Sequence, residues 1–306
     1  MDSEDREKRK PSLAKLLKYG VDPNSLSFED PGQKRTLLCL AVEEAAQIDD
    51  FHKVELLLTA KADPNKRSEN GSFPLQLAVK RSHLKLCRQL LQGKADVNQQ
   101  DSKLVTPLHT ATFENEARIV QLLLMYKANV NMADRLGQPP VFFSSSREVA
   151  AALLQAEADV LHLNKKGQTA LHITAHSGSY EALTFLVEQA PMHNLVNLQD
   201  ENGRTALHHA AVRGHQDIVS RLMDVGADPY IATKTGQTAM SLAEPKNLDC
   251  AYYIYTRMTG GNKASWRASL QNPIFLTTVA ILGVACFVNR QLLWEFTWDL
   301  IDIARR

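Results

Sequence analysis

The chain has 306 residues, of which 44% are hydrophobic and 23% charged, the make-up of a folded protein and not of a disordered one. Its formal net charge of +1 argues against nucleic-acid binding, because counterion release at phosphates needs a concentrated basic face. The cysteines Cys39, Cys87, Cys250 and Cys286 lie far apart, form no C-x-x-C pair and sit in apolar stretches, so they read as buried thiols of a reducing compartment.

Residues 1–10 are charged, lack the apolar core of a secretory signal and read as a flexible arm ahead of a cytosolic domain. Leu13, Leu16 and Leu17 then lead into Gly20-Val21-Asp22-Pro23-Asn24. This is the second half of a unit whose first half is missing, as suits an end cap whose outer face meets water. From there a unit recurs at about 33 residues, about seven times. Its openings are Thr36-Leu37-Leu38-Cys39, Phe73-Pro74-Leu75-Gln76, Thr106-Pro107-Leu108-His109, a degenerate Pro139-Pro140-Val141-Phe142, Thr169-Ala170-Leu171-His172, Thr205-Ala206-Leu207-His208 and Thr238-Ala239-Met240-Ser241.

The sixth copy shows the design most clearly. Gly203 permits positive φ at a hairpin tip. Thr205 is a helix N-cap candidate, and its equivalent Thr106 is followed by Pro107 at the first helical position, where a missing N–H costs nothing. Leu207 and Ala210-Ala211 form the face on which the next unit stacks, and Gly214 stops the helix. Ile218, Val219 and Leu222 make a second helix buried on one side, and Gly226-Ala227-Asp228-Pro229 turns the chain back. Position by position this resembles the ankyrin repeat over residues 11–256. The resemblance implies an all-α ankyrin-repeat solenoid of helix pairs joined by β-hairpin loops.

Three places depart from the pattern. Gly20 and Gly226 supply a left-handed residue before Ala-Asp, but Lys61, Lys94, Lys127 and Glu157 stand there in other copies, at a cost on the order of 1 kcal/mol if the conformation is kept. The first copy carries an insertion around Ala46-Gln47-Ile48-Asp49-Asp50 between its helices. The fourth is short, with Ser144-Ser145-Ser146 where its first helix should finish, and reads either as a notch or hinge or as a shortened loop.

None of this carries chemistry. His109, His172 and His208 recur at one repeat position, so each belongs to a separate unit and is read as hydrogen-bonding within its own turn. His208 and His209 point to different faces. Phosphate loops, H-E-x-x-H and G-x-S-x-G are missing, and no catalytic, metal or cofactor role is expected.

Function is therefore expected on the surface. The ankyrin resemblance implies a protein partner docked along the hairpin tips and the concave face of the first helices, on a chain expected to be monomeric. The tips are Lys34 and Arg35, Glu69 and Asn70, Lys103, Arg135, Lys165 and Lys166, Glu201 and Asn202, and Lys234 and Thr235. Cations outnumber anions among them, which suits an acidic or extended segment. Concave-face candidates are Phe113 with Glu114, His176 with Ser177, and Val212 with Arg213. Phe142 and Phe143 are read as core fillers or as an exposed aromatic anchor.

After a linker at 257–269 the composition changes. Asn272-Pro273 starts a helix, and Ile274 to Val288 is without charge over 15 residues. At 1.5 Å per residue that is roughly 22 Å, short of the 30 Å hydrocarbon core unless flanking residues extend it. A membrane anchor over 272–294 would use Ile274, Phe275, Leu276, Val279, Ile281, Leu282, Val284, Phe287 and Val288, with Trp294 and Trp298 at the interface. Arg257, Lys263 and Arg267 before the segment favour cytosolic repeats. The rival reading is an amphipathic helix, with Leu293, Phe296, Leu300 and Ile303 opposite Glu295, Asp299, Asp302 and Arg306, that caps the stack or recruits a second protein such as a ubiquitin-ligase component.

Overall fold

Thr36, Thr106, Thr169 and Thr205 each cap the start of a first helix, while Phe73 opens another without a side-chain cap. The computed structural model describes residues 13–27, 35–189, 195–243 and 247–260. In chain order the elements are α1 (Leu13–Lys18), β1 (Leu26–Ser27), β2 (Arg35–Thr36), α2 (Leu37–Ile48), α3 (His52–Thr59), α4 (Pro74–Lys80), α5 (Leu84–Gln92), α6 (Pro107–Phe113) and α7 (Ala117–Met125). A 3-10 helix (Pro140–Phe143) follows, then α8 (Arg147–Gln155), α9 (Ala170–Ser177), α10 (Tyr180–Val187), α11 (Ala206–Arg213), α12 (Gln216–Asp224), α13 (Ala239–Ala243) and α14 (Leu248–Thr259). The short β1 and β2 pair antiparallel, with Leu26 opposite Thr36.

The described residues fall in two compact units. The first reaches Val141 and takes in Ala151–Ala158; the second is Phe142–Ala150 with the residues from Asp159 onward. In the first, α2, α4 and α6 pack side by side, each backed by its partner α3, α5 or α7. In the second, α9, α11 and α13 form the inner layer and α10, α12 and α14 the outer. The apolar stripes of both layers meet between them: Leu75, Val79, Leu86, Leu90, Leu108 and Leu123 in the first unit, and Leu171, Leu183, Leu207, Ala210, Ile218 and Leu222 in the second, are fully buried. Each large aliphatic contributes about 1.5–3 kcal/mol by leaving water. This is the all-α stack of helix pairs that the sequence implies.

Asparagine side chains tie neighbouring repeats together. The Asp63, Asp96 and Asn129 N–H groups donate to Oδ1 of Asn24, Asn65 and Asn98 at 2.7, 2.7 and 2.8 Å. In the second unit the Asp228 N–H donates to Asn197 Oδ1 at 2.8 Å.

The departures resolve in physical terms. Lys61, Lys94, Lys127 and Glu157 keep the left-handed conformation, with φ of 66, 68, 62 and 64°, beside 87 and 93° at Gly20 and Gly226. The first-repeat insertion is not all loop. Ala46 to Ile48 prolong α2 to 12 residues, until left-handed Asp49 (φ 56°) ends it. In the fourth repeat a single 3-10 turn replaces the first helix, and Ser146 Oγ accepts from the Val149 N–H at 3.3 Å. The last serine of that run thus opens α8 instead of finishing the helix before it. Phe142 is 1% exposed, so its ring is core and not an anchor. At the C-terminal end, α14 runs three residues past 256, into the expected linker, and stops at left-handed Gly260 (φ 65°). Among the described residues no helix is long and apolar enough to cross a membrane. The proposed anchor at 272–294 and the rest of the tail lie outside the described residues, as do Lys34, the 1–10 arm and Cys286.

Candidate protein-docking surface

Four of the hairpin tips are each held by one short polar side chain at the base. Asp101 Oδ1 accepts from the Lys103 and Val105 N–H groups at 2.7 and 2.9 Å. Asp134 does the same for Leu136 and Gln138, Asn164 for Lys166 and Gln168, and Asp200 for Asn202 and Arg204. These side chains satisfy donors that a tight turn cannot pair internally, and they leave the tip residues pointing outward.

Neighbouring tips are joined by their backbones. In the first unit the Arg135 N–H donates to the Lys103 carbonyl at 3.1 Å. In the second, the Glu201 N–H donates to Lys166 O and the Lys234 N–H to Asn202 O, both at 3.0 Å. Lys103 with Arg135, and Lys165, Lys166, Glu201, Asn202 and Lys234 as a second group, are therefore two exposed sets of neighbours. Closeness demands glycine at one point: a Cβ on Gly203 would lie 2.7 Å from Lys234 N. The third tip differs, with Leu104 (φ 62°) in the left-handed position that Gly137, Gly167, Gly203 and Gly236 hold elsewhere.

The recurrent histidines do more than close their own turns. Thr106–His109, Thr169–His172 and Thr205–His208 form capping boxes, in which the imidazole Nδ1 accepts the threonine N–H at 3.1 Å. The ring proton therefore sits on Nε2, which donates across to the next repeat: His109 to Gln138 O at 3.0 Å, His172 to Leu198 O and Arg204 O at 3.1 and 3.2 Å, and His208 to Gln237 O at 3.3 Å. Burial disfavours the charged ring. It pushes His172 and His208 down to about 4, and lowers His109. Burial likewise drives Cys87 up to about 12 and Cys250 to about 11, so both thiols stay protonated.

A second cluster was not anticipated. His209 Nε2 lies 3.1 Å from Asp200 Oδ2, which also accepts from Gln168 Nε2 at 3.2 Å. Burial would raise the Asp200 carboxyl, but hydrogen bonds from the Arg204 N–H, His209, the Asn202 N–H and Gln168 outweigh it and hold it below the usual range. The His172 and His176 rings both stand 5.7 Å from His209, edge to face. The one sequence signal was the His208-His209 doublet, which has no counterpart in the other copies. Of the remaining candidates, Phe113 is 68% exposed at the end of α6. His176 and Arg213 are exposed at the ends of α9 and α11. Among the described residues no group of three or more His, Cys, Asp or Glu is placed to hold a metal ion.

Helix pairs stacked through shared hydrogen bonds, with clamped tips facing out, define a repeat protein of the interaction-module class. Residues 38–134, 141–233 and 190–263 match the family model for ankyrin repeats, and the chain belongs to the ankyrin-repeat family. Human BCL-6 corepressor-like protein 1 is 36% identical over 98 residues, 32% of this chain and 5% of that protein. Among solved structures, a chain from the Bd0816 predatory endopeptidase of Bdellovibrio bacteriovorus in complex with immunity protein Bd3460 is 28% identical, covers 62% of this chain and 99% of its own, and gives a TM-score of 0.53. The human ASB11 ankyrin repeat domain is 22% identical over 71% of this chain and 96% of its own, with a TM-score of 0.62. The fold is a protein–protein interaction module and, in general, a scaffold without catalysis of its own.

Proposed function

We propose that this chain is a scaffold or adaptor whose hairpin tips capture an acidic or extended segment of another protein, while the segment at 272–294 tethers it to a membrane. One observation carries the docking half: Lys165, Lys166 and Lys234 face solvent on the two tips that flank the Glu201–Asn202 tip, with Glu201 the one acid among the named residues of that set. Such a row steers an acidic partner and raises its on-rate more than its final affinity. The solved relative at 28% identity comes from a complex between proteins, in keeping with a protein partner.

The test is kinetic. A partner identified by proximity labelling should associate several-fold more slowly with K165Q/K166Q/K234Q, and with a flatter salt dependence. An unchanged on-rate overturns the docking row. Alkaline carbonate extraction addresses the tether, because a spanning protein stays in the pellet. Release into the supernatant would favour the soluble adaptor, whose tail face of Glu295, Asp299 and Asp302 suits a protein contact better than an anionic lipid surface.

A further inference from the structure

The ends of two inner helices in the second unit gather charge that the tip row does not use. His176 lies in the last turn of α9, and Arg213 closes α11. Arg213 Nε and His215 Nε2 both donate to the His176 carbonyl oxygen, at 3.4 and 3.3 Å. That carbonyl sits where a helix has unpaired acceptors and the negative end of its dipole, which explains why cations collect there. The His215 ring is held against Gly178, where an added Cβ would come within 2.7 Å of Cε1.

What these groups leave unused matters more. A guanidinium has five N–H donors, and the Arg213 side chain bonds through Nε alone among the described residues. The His176 imidazole has a ring contact with His209 and no hydrogen-bond partner among the described residues. The nearby carboxylate, Asp200, is sealed behind His209, its side chain 1% exposed, and is already engaged by two N–H groups, Gln168 and His209. Exposed donors therefore stand together, with the nearby Asp200 carboxylate turned inward.

We propose that His176 and Arg213 form a subsite for a carboxylate side chain of the docked protein, and that filling it draws a proton onto His176. The inference rests on the protein-docking reading and gives that partner a specific chemistry. A carboxylate can take two parallel N–H bonds from the free Arg213 nitrogens and a third from His176, the charge-assisted geometry that favours arginine at such sites. Burial comes first among the causes that hold His176 below the ordinary histidine range, followed by Arg213, His209, His215 and Arg204. These groups face it from α11, from the turn after α11 and from the hairpin before it. On its own helix, His172 reaches the same His209 ring. An anion placed among them reverses the local sign, so binding and proton uptake reinforce each other.

Acetylated and amidated hexa-aspartate is a suitable probe, since it stays ionised above pH 5. Its affinity for the full chain is measured at pH 6.0 and 7.5, with folding checked by circular dichroism, and the His176 resonance is followed by NMR with 13C-labelled histidine. Binding should be about fivefold tighter at pH 6.0, and the His176 titration should move up when the peptide is bound. H176Q should abolish the pH dependence and R213Q should weaken binding at both values. K165Q/K166Q/K234Q should lower affinity overall yet keep the pH dependence. Equal affinity at the two pH values, or an H176Q variant that keeps the dependence, overturns the subsite. If the triple lysine variant binds as the parent does while the pH dependence persists, the tip row fails and the subsite stands.

Discussion

Taking the protein from pH 7 to pH 5 charges any histidine free in water, but His172 and His208 are built to stay neutral. Each accepts a backbone N–H at Nδ1 and donates from Nε2 to the next repeat, so a proton on Nδ1 would turn an acceptor against a donor. Burial places both at about 4, against about 6.5 in the unfolded chain. A folded value below the unfolded one gives stability that is complete above pH 6.5 and lost as pH falls toward 4. One pH unit is worth 1.36 kcal/mol per group, so at pH 5 the loss is about 2 kcal/mol each, or about 4 kcal/mol together. That is a large share of the 5–15 kcal/mol that holds a typical domain folded. Urea unfolding followed by far-UV circular dichroism at pH 7, 6 and 5 should show the midpoint falling steadily. H172Q/H208Q should be less stable at pH 7 but should retain only the weaker slope due to His109, His176 and His209, which burial also lowers. Equal midpoints at pH 7 and 5, or an undiminished slope in the double variant, would refute the reasoning.

Two further outcomes concern the tips. Gly203→Ala forces a Cβ to within 2.7 Å of the Lys234 nitrogen at a φ of 77°, which should cost more than the roughly 1 kcal/mol of left-handed strain alone; urea unfolding and amide exchange at Lys234 would report it. Leu104→Gly removes strain at a φ of 62° from a side chain that is 43% exposed, and should raise stability by up to about 1 kcal/mol in the same assay. A destabilised Leu104→Gly variant would mean that this leucine packs in the folded state.

What could be read in advance was local. The period, the threonine caps at Thr106, Thr169 and Thr205, and the helix stop at Gly214 each depend on a few adjacent residues. Where neighbours compete, reading failed. Ala46 to Ile48 follow a helical run with good helix formers, so the helix continues instead of breaking into a loop. Ser146 could end one helix or begin the next, and the prolines at 139 and 140 leave only a 3-10 turn ahead of it. The Asp200–His209–His176 cluster was out of reach for a different reason. It needs the register between the fifth and sixth repeats, which places residues 24 and 33 positions apart around one ring. The exposure of Lys165, Lys166 and Lys234 follows from the tip geometry, but what docks there is not written in their own contacts.

The asparagine bonds between repeats imply a rule for cutting and joining this chain. Because Asn24 answers an amide at Asp63, Asn65 one at Asp96, Asn98 one at Asn129 and Asn197 one at Asp228, each of these modules borrows a ligature from the one before it, whereas Leu161 stands at the asparagine's place in the fourth. Whole modules could be duplicated, deleted or exchanged between homologues without redesigning the seam, provided each graft brings its own asparagine. A splice made inside a module would leave that stitch undone.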